Sequence, residues 1–317
     1  MSKGKIVITD YGFKDLEQEL KMFREHGYDL VALETSTEDE LIEACTDADA
    51  LLVQWAPISA RLIAHLNKCK IIVRYGIGVD NVDLNAAKQK SIPVCNVPDY
   101  CINEVADHTL ALALSLSRQL GEINNRLKKG EWKIVPPYRM PAFRDMLFGT
   151  IGFGRIAREV LKSAKSLGFK VGAYDPKINP FQLKEAGVAA LSFEELISGA
   201  DIISLHLPLT AETQHIINAA TIEQMKQGAI IINTSRGGLI DTEALAAALS
   251  KRRVVAGLDV FENEPLPETH PLWGVEHAVL TSHTAWYSER SVPALQQMAA
   301  AEVLRGLQSE PLKNRVI

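Results

Sequence analysis

Short apolar segments alternate with helical ones along the first hundred residues. Runs typical of strands occupy residues 5–10, 29–33, 50–53 and 70–73. Apolar side chains recur at helical spacing over residues 15–26, 37–45 and 59–67. Buried strands that are separated by helices form a parallel sheet covered on both faces. This part of the chain is therefore predicted to be a doubly wound α/β domain.

A second series of strands follows in the remainder of the chain. Strand patterns recur near residues 188–191, 201–207, 229–234, 254–260 and 278–282. A long helical stretch, Ile102 to about Lys129, precedes them and is predicted to connect two domains, with a loop over residues 130–144. From about Glu289 the chain is helical again, and the apolar face of that helix must be buried. The first domain is its natural place, which would make that domain discontinuous.

The segment from Gly149 to Asp175 contains a strand, a glycine turn, a helix and a second strand that ends in an acid. Its two central glycines stand where a dinucleotide-binding turn bends sharply and lets the backbone approach a pyrophosphate, and Ala157 is small enough for the third position. The helix N-terminus favours phosphate. An ordinary strand-to-helix turn is the alternative. The predicted cofactor contacts of this turn are Gly152, Phe153, Gly154, Arg155 and Ile156.

Asp175 indicates which dinucleotide binds. A carboxylate at the end of the second strand hydrogen-bonds a ribose 2′-OH and repels a 2′-phosphate, so NAD is predicted rather than NADP, although Lys177 softens the repulsion. The sequence thus predicts two doubly wound parallel-sheet domains. A Rossmann NAD-binding domain, residues 100–286, is inserted into a discontinuous flavodoxin-like substrate domain, residues 1–99 and 287–317.

Composition limits the possible partners and the compartment. The chain has 317 residues, of which 47% are hydrophobic and 23% charged, and its net charge is −5. This mild acidity disfavours binding to nucleic acid or to anionic membranes. The four cysteines form no CxxC pair, so a reduced, cytoplasmic protein is expected. No apolar segment is long enough to span a bilayer, and the eight histidines show no metal-ligand spacing, so no metal is predicted.

Several groups that can bind or react follow predicted strands. In the first domain, the backbone of Gly76, Ile77 and Gly78 can expose N–H groups to a carboxylate, although a plain turn explains the same pattern. In the second domain, the motifs NTSRGGLID, GLDVFENEP and SHTAW follow successive strands. Together with IGFGRIA, these motifs resemble the D-isomer-specific 2-hydroxyacid dehydrogenase family over essentially the whole chain. The nearest similarity is to C-terminal binding proteins, through HTAWYSE and LKNRV, with phosphoglycerate and glyoxylate or hydroxypyruvate dehydrogenases close behind.

The resemblance implies a catalytic set of Arg236, Glu264 and His283. His283 would donate a proton to the substrate oxygen, because imidazole titrates near neutral pH. Glu264 would orient the imidazole and stabilise its charged form, and Arg236 would bind the substrate carboxylate with its fixed fork of donors. The resemblance also implies further cofactor contacts at Leu207, Pro208, Thr213, Thr234, Ser235, Arg236, Asp259 and His283. Among these, Asp259 resembles the ligand of the nicotinamide carboxamide.

The implied reaction is hydride transfer between NADH and a small 2-keto or 2-hydroxy acid. Implied substrate contacts are Gly76, Ile77, Gly78, Gln54, Arg236 and Trp286, of which Trp286 either lines the pocket or serves only in packing. Gln54 stands where phosphate-using relatives tend to carry arginine, which disfavours a phosphorylated substrate. The alternative function is an NAD(H)-sensing binding protein, but the intact Arg–Glu–His set favours an enzyme. The family also implies a homodimer, consistent with the apolar face Leu110–Leu116.

Overall fold

The chain forms two compact units. The computed structural model describes residues 2–34, 37–275 and 277–317. Unit 1 comprises Met1–Cys101 and Tyr287–Ile317, and unit 2 comprises Ile102–Trp286. Unit 1 is therefore discontinuous in sequence.

Unit 1 contains a five-stranded parallel sheet. Its strands are β1 (Lys5–Ile8), β2 (Asp29–Ala32), β3 (Ala50–Val53), β4 (Ile71–Arg74) and β5 (Val94–Cys95). Its helices are α1 (Glu17–Glu25), α2 (Glu38–Cys45), α3 (Ala60–His65), α4 (Leu84–Gln89) and, near the end of the chain, α12 (Ser291–Leu307). The strand order β2-β1-β3-β4-β5 is that of flavodoxin-like doubly wound folds.

The helix α12 completes the core of unit 1. It packs against α1, β3 and β4 and buries Leu295, Ala299, Val303 and Leu307. Its buried Glu302 accepts backbone N–H groups of Lys313 and Asn314 at 2.7 and 3.1 Å and the Arg305 guanidinium at 2.8 Å. This carboxylate therefore fixes the chain segment that follows the helix.

A buried polar cluster joins three elements of unit 1 below the loop that follows β4. The Tyr75 hydroxyl donates to Oε1 of Glu19 at 2.8 Å, and Nε2 of Gln296 donates to Oε2 at 3.1 Å. Burial raises the pKa of Glu19 despite these hydrogen bonds, and burial also raises the pKa of Tyr75. The cluster fixes Tyr75, which directly precedes the Gly76–Gly78 segment.

Unit 2 contains a seven-stranded parallel sheet. Its strands are β6 (Leu147–Ile151), β7 (Lys170–Tyr174), β8 (Ala189–Ala190), β9 (Ile202–Leu205), β10 (Ala229–Asn233), β11 (Val254–Leu258) and β12 (Ala278–Leu280). Its helices are α5 (Ile102–Ser117), α6 (Leu120–Lys128), α7 (Arg155–Ser166), α8 (Pro180–Glu185), α9 (Phe193–Gly199), α10 (Ala219–Gln224) and α11 (Thr242–Ser250). The order β12-β11-β10-β9-β6-β7-β8 is the Rossmann order with one added edge strand. The predicted fold class is confirmed.

The predicted linking helix is two helices. α5 ends at Ser117 and α6 begins at Leu120, because Gln119 adopts a left-handed conformation with φ of 51°. Leu110 and Leu112 are buried inside unit 2, where α5 packs against α7, β10 and β11. The apolar face Leu110–Leu116 thus belongs to the core of unit 2 and gives no support for a dimer. Within the described ranges, no helix is long and apolar enough to cross a membrane.

Candidate active site

The glycine turn after β6 has the backbone geometry of a dinucleotide-binding loop. Gly152 has φ of 100°, and a Cβ atom there would lie 2.3 Å from the carbonyl oxygen of His206, so only glycine fits. Gly154 is the N-cap of α7 and carries no side-chain cap. A Cβ atom at Gly154 would meet no protein atom within 4 Å. Open space at a helix N-terminus is what a pyrophosphate requires.

Asp175 lies at the end of β7 and holds the glycine turn. Its Oδ2 accepts the N–H of Phe153, and its Oδ1 accepts the N–H of Lys177, both at 2.9 Å. The half-buried carboxylate is therefore fixed beside the glycine turn, and its contact with a ribose stays a prediction.

The loop after β9 carries three of the predicted cofactor contacts, Leu207, Pro208 and Thr213. The Thr213 hydroxyl donates to the carbonyl of Pro208 at 2.7 Å and accepts the N–H of Thr210 at 2.8 Å, so it closes a tight turn. His206 lies at the start of the loop, with Nε2 2.9 Å from the Ser204 hydroxyl. Burial lowers the pKa of His206 to about 4, so this imidazole stays neutral at physiological pH.

The turn after β10 presents Arg236 through a set of local hydrogen bonds. The Ser235 hydroxyl donates to the carbonyl of Leu205 at 2.7 Å, and Nδ2 of Asn233 donates to the carbonyl of Arg236 at 2.8 Å. The hydroxyl of Thr234 lies 2.9 Å from that of Thr109 on α5. These contacts fix the backbone on both sides of the arginine.

Asp259 organises the turn that carries His283. It follows β11 and is 0% exposed. Its Oδ1 accepts the Thr281 hydroxyl at 2.5 Å and the N–H of Thr284 at 2.9 Å, and its Oδ2 accepts the N–H of Ala285 at 2.9 Å. Within the described part of the chain, Oδ2 accepts only this one N–H, and a contact with a nicotinamide carboxamide stays a prediction. The structure therefore gives Asp259 a role in shaping the turn, which the sequence did not predict.

His283 and Glu264 form a close pair. Nδ1 of His283 is 2.6 Å from Oε2 of Glu264, and Oε1 of Glu264 accepts the N–H of Phe261 at 2.9 Å. Burial raises the pKa of Glu264, but the hydrogen bond and charge of His283, the Phe261 N–H and the charge of Arg236 outweigh it and leave the pKa below its usual range. An ionised Glu264 can only accept a hydrogen bond, so it fixes a proton of His283 on Nδ1.

The turn that bears Arg236 sits directly on the loop that bears Glu264. A Cβ atom at Gly237 would lie 1.8 Å from the carbonyl carbon of Phe261 and 2.3 Å from the nitrogen of Glu262. Only glycine allows this approach of two backbones. The structure thus brings the predicted trio Arg236, Glu264 and His283 to neighbouring turns at one edge of the sheet.

Two polar residues of α5 at this edge were not predicted. Nε2 of His108 lies 3.0 Å from the Thr281 hydroxyl and 3.6 Å from Oδ1 of Asp259. Because the Thr281 hydroxyl donates its proton to Asp259, it can only accept from Nε2 of His108. Thr109 contacts Thr234, as described above. Their signal in the sequence is a polar His-Thr step within an apolar helix, which the periodicity alone left unexplained.

Trp286 is bonded to the turn that carries His283. Its indole N–H donates to the carbonyl of His283 at 2.8 Å, and His283 itself has a left-handed φ of 55°. The ring therefore braces this strained turn. Whether it also lines a substrate pocket stays a prediction.

In unit 1, the predicted substrate-binding residues are tied into their own loops. Gln54 is 2% exposed, and its Oε1 accepts the N–H of Gly12 at 2.8 Å. The N–H of Gly76 donates to the carbonyl of Arg74 at 2.9 Å, and its contact with a carboxylate stays a prediction. The carbonyl of Ile77 accepts Nδ2 of Asn96 at 2.7 Å. The expectation for Gly78 remains a prediction.

The comparisons with known proteins agree with this geometry. Residues 110–285 match the NAD binding domain of the D-isomer specific 2-hydroxyacid dehydrogenases. The chain is 38% identical over 315 residues to D-3-phosphoglycerate dehydrogenase of Methanocaldococcus jannaschii. The matched region covers 98% of this chain and 59% of that enzyme. It is 33% identical over 317 residues to hydroxypyruvate reductase of Blautia hydrogenotrophica. Here the matched region covers 97% of this chain and 98% of that enzyme.

A solved structure supports the same assignment. D-lactate dehydrogenase from Aquifex aeolicus, complexed with NAD and lactic acid, has a TM-score of 0.87 at 28% identity and covers 96% of each chain. The chain belongs to the D-isomer specific 2-hydroxyacid dehydrogenase family, and unit 2 contains its NAD-binding domain. The predicted family and the NAD cofactor are confirmed. None of these relatives supports the alternative of an NAD(H)-sensing binding protein.

Proposed function

We propose that the protein is an NAD-dependent oxidoreductase that interconverts a small 2-keto acid and the D-2-hydroxy acid. The observation that carries the proposal is the 2.6 Å contact between Glu264 and His283, beside the turn that bears Arg236, in an NAD-binding domain of this family. To test the proposal, the protein is incubated with NADH and each of a panel of 2-keto acids, and oxidation of NADH is measured as a loss of its absorbance. Absence of turnover with every acid would refute the proposal.

The residues around the glycine turn fit the cofactor. The open space at Gly154 and the adjacent carboxylate of Asp175 suit a pyrophosphate and a ribose diol. We propose that the loops at Leu207–Thr213 and Thr234–Arg236 hold the rest of the dinucleotide. When bound, NADH supplies the hydride.

The protein itself supplies the proton and the charge complement. Because Nδ1 of His283 is committed to Glu264, Nε2 is the atom left to transfer a proton to the substrate oxygen. The ionised Glu264 holds the imidazole in this orientation. The guanidinium of Arg236 binds the substrate carboxylate, whose charge Arg236 offsets throughout the reaction. In the oxidation direction the same Nε2 accepts the proton.

Unit 1 supports a substrate without phosphate. The side chains that follow β3 are neutral Gln54 and Trp55, and the carboxylate of Asp10 accepts their backbone N–H groups at 3.1 and 2.6 Å. An acidic group here disfavours a dianion, because an unpaired charge in a partly desolvated site costs several kcal/mol. We propose that glyoxylate, hydroxypyruvate or a longer apolar keto acid is the substrate.

Rates with two substrates decide this point. Measured at one pH and ionic strength, kcat/KM should be higher for hydroxypyruvate than for 3-phosphohydroxypyruvate, which differs mainly by its phosphate. A clear preference for the phosphorylated acid would contradict the assignment, and it would mean that Arg74 or a lysine supplies the missing charge. If the wild type prefers hydroxypyruvate as expected, the Gln54→Arg variant should reduce that preference in kcat/KM, because it adds a cation after β3.

We further propose that the protein is a cytoplasmic homodimer. The four free cysteines are compatible with a reducing compartment. On unit 2, the segment after α6 exposes Trp132, Ile134 and Val135 to 82%, 90% and 78% of their surfaces. Contiguous apolar side chains at such exposure mark a surface that is covered in an assembly. Light scattering should give the dimer mass, and the Trp132→Ser, Ile134→Ser variant should shift it toward the monomer. A monomeric wild type would contradict the proposal.

A further inference from the structure

A second histidine–carboxylate pair lies in unit 2, outside the Glu264–His283 pair. His215 belongs to the loop after β9, and Glu262 belongs to the loop after β11. Nε2 of His215 is 2.6 Å from Oε1 of Glu262, while Oε2 of Glu262 accepts the N–H of Thr242 at 3.0 Å. Because an ionised carboxylate only accepts, Nε2 of His215 must carry the proton. The pair is a charge-assisted hydrogen bond between two loops.

Glu262 is held in its ionised form. Burial raises its pKa, but the hydrogen bonds from Thr242 and His215 outweigh burial and leave the pKa below the usual range. The two side chains are 38% and 29% exposed, so they are half-buried and can respond to substitution without opening the core. The lowered pKa of Glu262 keeps its carboxylate an acceptor for Nε2 of His215 near neutral pH.

The pair also holds the turn that bears Arg236. The backbone N–H of His215 donates to the carbonyl of Gly238 at 2.9 Å, and His215 keeps a left-handed φ of 50° to do so. On the opposite side, Gly237 packs on the peptide between Phe261 and Glu262, as described for the site. The three segments are thus fastened to one another by one side-chain bond, one backbone bond and one close backbone contact.

We propose that His215 and Glu262 are a positioning pair for Arg236 and Glu264. Glu262 lies two residues before Glu264, whose carboxylate is held by the N–H of Phe261 and by His283. Displacement of Glu262 moves the loop that carries Glu264 and the turn stacked on it. Misplacement of reacting groups by about 1 Å costs up to about 10²-fold in rate. This inference rests on the proposed function, because it assigns the pair to the same reaction.

Variants at both positions test the inference in the full-length protein. His215→Ala and Glu262→Ala should each lower kcat about tenfold, while the Kd of NADH changes by less than about threefold. The double variant should be no slower than Glu262→Ala alone, because Glu262→Ala already removes the bond to His215 as well as the bond from Thr242. His215→Gln, which keeps a donor, should recover most of the rate. His65→Ala is the control, since Nδ1 of His65 lies 2.8 Å from the carbonyl of Arg61 one turn earlier in α3 of unit 1.

Hydrogen exchange supplies a readout that needs no turnover. In His215→Ala, backbone amides over residues 234–240 and 260–266 should exchange faster than in the wild type, with His65→Ala unchanged. The proposal would be overturned if both single variants had the wild-type kcat, or if the losses in kcat multiplied in the double variant. A variant that lost only NADH affinity would overturn it too. Unaltered exchange would overturn it as well. Faster exchange in a protein that reduces no keto acid would support the contact and refute only the proposed function.

Discussion

Replacement of Asp259 by asparagine separates two roles for this residue. The family resemblance implies a contact with the nicotinamide carboxamide, and the structure buries Asp259 fully and bonds its oxygens to the His283 turn. Asparagine has nearly the same shape but only one acceptor oxygen. In the better orientation of the asparagine, the amide oxygen takes the place of Oδ1 and keeps the hydrogen bonds from the Thr281 hydroxyl and the Thr284 N–H. The NH2 group then takes the place of Oδ2 and faces the N–H of Ala285.

The structure sets the size of the effect. In that orientation the N–H of Ala285 loses its charged acceptor and faces the asparagine NH2 group, which is also a donor. These changes should lower the free energy of unfolding by about 2–3 kcal/mol. For a unit of this size, the loss corresponds to a fall in Tm of roughly 5–10 °C. Because the turn carries His283, kcat should fall at least about tenfold, while the Kd of NADH changes by less than about threefold.

Thermal unfolding, steady-state kinetics and NADH fluorescence measure the three quantities. Asp83→Asn is the matched control, because Asp83 caps α4 through the N–H of Ala86 and asparagine caps a helix equally well. An unchanged Tm together with NADH affinity weakened about tenfold or more would refute the positioning role and restore the direct cofactor contact.

Three further outcomes follow from the site. NADH should bind more tightly than NADPH, and Asp175→Ala should reduce the difference; equal binding of both by the wild type would show that the ribose assignment is wrong. His283→Ala should lower kcat by about 10²–10⁴-fold with little change in NADH affinity, and unaltered turnover would remove it from the mechanism. The folded-state pKa of Glu264 lies below its ordinary value, so its pairing stabilises the fold above the unfolded pKa and is lost as pH falls through the folded pKa. Glu264→Gln should therefore flatten the acid limb of the stability profile and shift the pH–rate profile, as unfolding curves from pH 3 to 7 and kcat/KM against pH would show; superimposable profiles would contradict this.

The strands were predictable because parallel strands are buried on both faces and consequently read as short apolar runs. β3 and β10 have every residue buried, and both fall inside the predicted segments. The helices α4 and α8 were not identified, since a helix of six residues shows less than two turns of periodicity. The helix α3 has the same length, but it lies within the longer periodic stretch of residues 59–67 and was predicted. The break at Gln119 was also missed, because a left-handed glutamine has no sequence signal comparable to glycine.

The site was predictable only where a residue follows a strand. Arg236, Glu264 and His283 share that position, and strand ends of a parallel sheet converge on one edge. His108 and His215 could not be found in this way, because their partners Thr281 and Glu262 lie 173 and 47 residues away in the sequence. A pattern of local spacing contains no information about such pairs.

The seating of α12 on β3 and β4 has a consequence for synthesis on the ribosome. Residues 1–101 emerge first, but the helix that covers their sheet is translated only after all of unit 2. At ordinary elongation rates, the interval is about 10–40 s. Unit 2 is continuous and can fold during that interval. The apolar face of β3 and β4 stays uncovered until α12 is translated, and chaperones can bind it meanwhile. A nascent chain stalled before Ser291 should therefore hold a protease-resistant unit 2 attached to a protease-sensitive N-terminal segment.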